Sequence, residues 1–93
     1  MIPPGAKPAL ASKARLRLDS KTGSWLLLYP ERGLSLTPTA ASILRLCSGD
    51  RTIDAIVEEL LGQYSDRAAV DVRADVLEFL GQMVERGLVV VRE

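Results

Sequence analysis

The chain has 93 residues, nearly half of them apolar, with 12 Lys/Arg balanced by 12 Asp/Glu. That is one domain of ordinary globular composition, able to bury roughly two thirds of the surface its unfolded chain would expose. No apolar run reaches the roughly 20 residues of a membrane span, and no histidine is present to act as catalytic base or zinc ligand.

The charge is unevenly spread. Met1 to Thr52 carries eight Lys/Arg against three Asp/Glu, and Ile53 to Glu93 four against nine. The plain explanation is solvated faces on a small domain; the functional one is a field that steers an acidic partner to the basic half. The absence of a signal-peptide pattern at Met1 makes the cytosol the expected compartment.

Three prolines and a glycine from Met1 to Pro8 are incompatible with helix or central strand, so residues 1–12 read as a flexible tail and 13–93 as the folded domain. Ala14-Arg15-Leu16-Arg17-Leu18 alternates apolar and basic, predicting a strand with Ala14, Leu16 and Leu18 toward the core. The polar Asp19 to Gly23 suits a hairpin loop leading to a buried strand at Trp25 to Tyr29. Trp25 reads as core or rim packing rather than a ligand platform. Pro30 to Gly33 reads as a turn and Gly33 to Leu36 as a short third strand.

Thr37 is a fit N-cap and Pro38 a fit first helical residue. Ala40, Ile43, Leu44 and Cys47 then recur at helical spacing over about three turns, with Gly49 as the left-handed terminator. Cys47 therefore reads as a core thiol, with no histidine to activate it. Thr52 caps a second helix whose stripe is Ile53, Ile56, Val57, Leu60, Leu61 and Tyr64. A third helix has Ser65, Asp66 and Asp71 as alternative starts, a buried face of Val72, Val76, Leu80, Met83 and Val84 widened by Leu77 and Phe79, and a stop at Gly87. Leu88 to Val91 is a terminal extended segment, either a strand or an arm given to a partner chain.

This order predicts an α+β, winged helix-turn-helix-like fold: a three-stranded antiparallel sheet, three helices and a C-terminal extended segment. The common use of that fold is DNA binding, but Asp71 and Asp75 at the start of the third helix would repel phosphate. No glycine-rich phosphate loop, cysteine set or metal-ligand cluster is present, and neither catalysis nor a bound cofactor is expected. Recognition remains. The short third strand has the character of a sheet edge that can accept a peptide as an added strand.

Leu26 to Glu31, Leu34-Ser35-Leu36-Thr37 with Ala40, Ile43 and Leu44, Gly49, Thr52-Ile53, Asp75 to Leu80 and Gly87-Leu88 closely resemble the pyrroloquinoline quinone (PQQ) biosynthesis family PqqD, a RiPP recognition element family. The likeness runs from Leu16 to Val91. It implies a peptide chaperone that binds the ribosomal precursor peptide PqqA and presents it to the radical S-adenosylmethionine enzyme PqqE, which cross-links a glutamate and a tyrosine of that peptide. Related domains bind leader peptides as an extra strand against the third helix. The residues this points to are Gly33, Leu34, Ser35 and Leu36 on the strand and Val70, Arg73, Ala74 and Leu77 on the helix, with Arg73 the charge to meet an acidic peptide. Two departures stand out: residues before Lys13 match no motif, and Ser48 occupies a place where an acidic residue is expected. A homodimer joined through Leu88 to Val91, a scaffold without peptide, is the second reading.

Overall fold

The computed structural model describes residues 5–29, 32–64 and 66–92. The chain runs β1 (Lys7–Leu10), β2 (Arg15–Leu18), β3 (Trp25–Tyr29), β4 (Arg32–Ser35), α1 (Pro38–Arg45), α2 (Ile53–Gln63), α3 (Ala69–Glu85) and β5 (Val89–Arg92). Strands β2, β3 and β4 make an antiparallel sheet in that order, and β1 pairs antiparallel with β5 in a second sheet. The α+β class and the expected three-stranded antiparallel sheet therefore hold, while the C-terminal extended segment, β5, pairs with β1 in a separate two-stranded sheet.

The expected tail is the largest difference. Lys7–Leu10 is a strand, in register with Val89 to Arg92, and Ala6, Pro8 and Ala9 are buried. Proline is tolerated because position 8 turns its backbone groups away from β5, so no ladder bond to β5 needs its missing N–H. The carbonyl of Ala6 accepts the N–H of Ile53 at 3.1 Å and that of Pro8 accepts the N–H of Gly49 at 3.0 Å. Local composition could not anticipate partners that lie forty residues and more downstream. Met1 to Pro4 lie outside the described residues, as do Pro30, Glu31 and Ser65.

The helix starts follow local chemistry. Thr37 Oγ1 accepts the N–H of Ala40 at 3.2 Å with Pro38 following, and Thr52 Oγ1 accepts the N–H of Ala55 at 3.1 Å. Helix α1 has eight residues and ends at Arg45, shorter than its stripe suggested. Gly49 is thus not its cap. The chain leaves the helix at Leu46 so that Ser48 can bridge to Ala9, and Gly49, at φ +87°, sits where a Cβ would come within 3.3 Å of Ala9 Cβ. Helix α3 starts at Ala69 after Ala68, with no side-chain cap. Of the anticipated caps, Ser65 lies outside the described residues, Asp66 precedes the start, and Asp71 falls in the first turn, where its charge suits the helix dipole. At the other end Gly87, at φ +73°, lets Leu88 N–H reach the carbonyl of Met83 and Gly87 N–H that of Val84, the Schellman pair of bonds.

The core joins Leu27 of β3, Ile43 and Leu44 of α1, Ile53, Ile56 and Leu60 of α2, and Val76 and Leu80 of α3, all essentially inaccessible. Helix α3 packs on α2 and β5, while α1 packs on β3 and α2. Two stripe residues are not covered: Leu18 is 50 % exposed at the end of β2, and Val84 is 37 % exposed in the last turn of α3. Periodicity marks the face on which a side chain lies; it does not say how far the opposing element extends.

Candidate functional site

Strand β4 has β3 as its one sheet neighbour. Gly33 stands opposite Leu28, Leu34 opposite Leu27 and Ser35 opposite Leu26, so Arg32 and Gly33 belong to the strand and not to the turn before it. Just past the strand, Leu36 N–H donates to the carbonyl of Trp25 at 3.0 Å. Backbone groups along an antiparallel strand point alternately to its two sides. With Leu36 turned to β3, Leu34 and Arg32 turn the same way, and Gly33 and Ser35 direct their N–H and C=O groups to the outer edge. Among the described residues nothing pairs with that edge.

Side chains alternate across the sheet as well. Leu34 is half-buried against the core beside Leu27, while Gly33 and Ser35 are exposed on the opposite face. Leu28 lies over Gly33, its Cδ2 3.3 Å from where a Cβ would stand. Leu36 is buried at 8 % exposure and its N–H is already bonded. It serves the core, so the outward-facing part of the predicted strand site is Gly33 to Ser35.

On α3, Val70, Arg73, Ala74 and Leu77 share one face, since positions i, i+3, i+4 and i+7 of a helix do. Val70 is 73 % exposed and Ala74 exposed, whereas Leu77 is half-buried on the core. Leu34 and Leu77 thus border the same apolar cluster from the sheet and from the helix. Arg73 does not stand free: its Nη1 lies 2.5 Å from Asp54 Oδ1 of α2. Asp75 is bridged at 2.7 Å by Arg67. The start of α3 therefore offers paired arginines beside exposed carboxylates, an unsuitable surface for nucleic-acid phosphate.

Cys47 is buried, donates its thiol to the carbonyl of Ile43 at 3.3 Å, and has its pKa pushed up by burial from 9.0 to about 12. A thiol so placed carries no thiolate near neutral pH and is no nucleophile. Among the described residues no cluster of His, Cys, Asp or Glu could hold a metal ion, and no helix is long and apolar enough to cross a membrane.

Trp25 is half-buried, as its rim position suggested, but Arg45 of α1 lies over its ring, 4.9 Å from the centroid. Sequence reasoning missed this pair. No periodicity links a strand residue to one on a later helix, and the basic excess of the first half was the only available signal.

The family model described as Coenzyme PQQ synthesis protein D (PqqD) matches residues 24–89. A PqqA binding protein of Rhodopseudomonas palustris (strain BisB5) is 37 % identical over 83 residues, spanning 88 % of this chain and 79 % of the relative. One from Xanthomonas oryzae pv. oryzae (strain PXO99A) is 33 % identical over 82 residues, spanning 88 % of each. Among solved structures, the solution structure of the PqqD part of Methylobacterium extorquens PqqCD, described as a functional stand-alone RiPP recognition element, aligns with TM-score 0.72 and 31 % identity, covering 89 % of this chain and 87 % of that one. The crystal structure of PqqD from Xanthomonas campestris aligns with TM-score 0.55 and 27 % identity, covering 84 % and 86 %.

Proposed function

Because the chain belongs to the PqqD family, we propose that it is a peptide chaperone of PQQ biosynthesis, a recognition protein and not an enzyme. It binds the precursor peptide PqqA as an added strand on β4 and presents it, in the cytosol, to the radical enzyme PqqE. The observation that carries this is the open outer edge of β4, where the N–H and C=O groups of Gly33 and Ser35 have no partner among the described residues. An extended peptide satisfies such groups with its own backbone, whatever its side chains.

Energetics then require side-chain anchors. Bonds to Gly33 and Ser35 number about four at roughly 1 kcal/mol net each, against roughly 8 kcal/mol for a micromolar complex. The balance, and the cost of ordering the peptide, falls to apolar contact. Val70 is a large side chain left in water, and Ala74 and Leu77 continue its face. Their exposure supports a role in seating the peptide beside Leu34. Arg73 takes part only by exchanging Asp54 for an acidic group of the peptide, which makes its net contribution small.

Titration of the isotope-labelled chain with PqqA peptide, followed by amide shifts, tests the reading. The amides of Gly33 and Ser35 move most, with Val70 to Leu77 following, and duplex DNA moves neither set. Silent Gly33 and Ser35 amides at saturation would sink strand addition even if the peptide bound.

A further inference from the structure

A cavity of about 220 Å³ opens between the start of β3 and α1, walled by Trp25, Leu36, Pro38, Ala41, Ser42 and Arg45, with Gly23 and Ser24 at its rim. A second cleft of about 270 Å³ shares Ser42 and Arg45 and adds Arg51 and Gln63. None of the residues lining either space is acidic. Among the described residues neither Arg45 nor Arg51 has a carboxylate partner, in contrast to Arg67 and Arg73.

We propose that this cavity is a carboxylate pocket, which seats an acidic side chain of the bound peptide just beyond its strand-paired stretch. The proposal rests on the strand-addition reading above. Its geometry is specific: Trp25, Leu36, Pro38 and Ala41 supply an apolar wall, and Arg45 supplies a cation at that wall. An aliphatic stem ending in a carboxylate satisfies both parts. A bare phosphate would leave the wall uncovered.

The parts are also fixed in place. Ser42 donates to the carbonyl of Pro38 at 3.0 Å and meets Tyr64 Oη at 3.1 Å, which ties the wall of α1 to the end of α2. The Arg45 guanidinium carbon lies over the Trp25 ring, 4.9 Å from its centroid, and its N–H groups have no hydrogen-bond partner among the described residues. Position supports the same occupant: Leu36, a wall residue, directly follows Ser35, whose backbone ends the open edge. A peptide paired along β4 ends its ladder beside this opening.

Trp25 is the only tryptophan, so the labelled chain has one indole N–H resonance. PqqA peptide, and the same peptide with every Asp and Glu changed to Asn and Gln, are titrated into the wild-type, Arg45→Gln and Arg45→Lys proteins. The indole peak moves with the acidic peptide, Arg45→Gln weakens binding about five- to tenfold, and Arg45→Lys recovers part of the loss. The neutralised peptide loses a similar factor on the wild type and is insensitive to Arg45→Gln. A still indole peak with unchanged Arg45→Gln affinity, while the Gly33 and Ser35 amides move, overturns the pocket and leaves strand addition standing. Silent Gly33 and Ser35 amides instead count against strand addition. Inorganic phosphate moving the indole peak as far as the peptide does overturns the claim that the pocket reads a side chain.

Discussion

Strand β1 is covered along both edges, by β5 on one side and by Ser48 and Gly49 on the other, whereas β4 is covered only by β3 among the described residues. Both are four-residue strands with a small or cyclic residue at their second position, Pro8 in one and Gly33 in the other. What separates them is the use of the backbone. In β1 the carbonyl of Pro8, turned away from β5, goes to Gly49 of the α1–α2 connection, and the carbonyl of Ala6 just before the strand goes to Ile53, so residues 6–10 are tied in on both sides. In β4 the corresponding groups of Gly33 and Ser35 pair with nothing among the described residues. An edge left open is a hazard that proteins ordinarily suppress, and its being open on one sheet and closed on the other is what the strand-addition proposal rests on.

The sharpest way to break the contrast is to remove the core that supports both sheets. Leu44→Ala should cost about 2 to 5 kcal/mol in chemical denaturation, since the residue is 1 % exposed and a cavity would remain. A loss below about 1 kcal/mol would mean that α1 does not brace the two sheets together.

Next comes the closed edge. Gly49→Ala places a Cβ at φ +87° against Ala9 and should lower stability by about 1 to 3 kcal/mol. Gly33→Ala on the open edge meets only the flexible end of Leu28 and should cost less. Equal losses in urea would remove the distinction between the edges.

Cys47 tests how tightly the segment leading to the closed edge is buried. Its folded pKa, about 12, lies above the 9.0 of the free thiol. Its contribution is therefore fully present below pH 9.0 and declines as pH rises toward about 12, where the unfolded chain ionises and the folded one resists. Wild type should lose about 1 kcal/mol more than Cys47→Ala between pH 8 and pH 10. Parallel pH profiles for the two proteins would show that the thiol is accessible.

On the open edge, Ser35→Pro removes an N–H that bonds nothing among the described residues. Peptide affinity should fall by about 1 kcal/mol in calorimetry, with a smaller change in folding stability. A large stability loss with unchanged binding would mean that Ser35 faces β3. The smallest effect belongs to Arg73→Ala, below about 1 kcal/mol in both stability and binding, because the bridge to Asp54 is half-exposed. A tenfold loss of peptide affinity would instead give Arg73 to the peptide.

Much of this molecule was legible in the sequence because the determining interactions are local. Thr37-Pro38 and Thr52 set helix starts through hydroxyls three residues from the amides they satisfy, Gly87 sets a helix end, and the alternation from Arg15 to Leu18 sets a strand. Gly33 to Leu36 could be read as an edge because the strand is short and gives way at once to a helix, and the structure then gives Leu36 to the core. What only the tertiary structure decided depends on partners far apart in the chain. Lys7–Leu10 becomes a strand because Val89 to Arg92 lie ready to pair with it. Gly49 serves β1 and not α1, Arg73 is held by Asp54, and Arg45 comes to rest on Trp25. Periodicity and capping act over one or two turns, while edge covering and ion pairing are settled by which distant segments the core brings together.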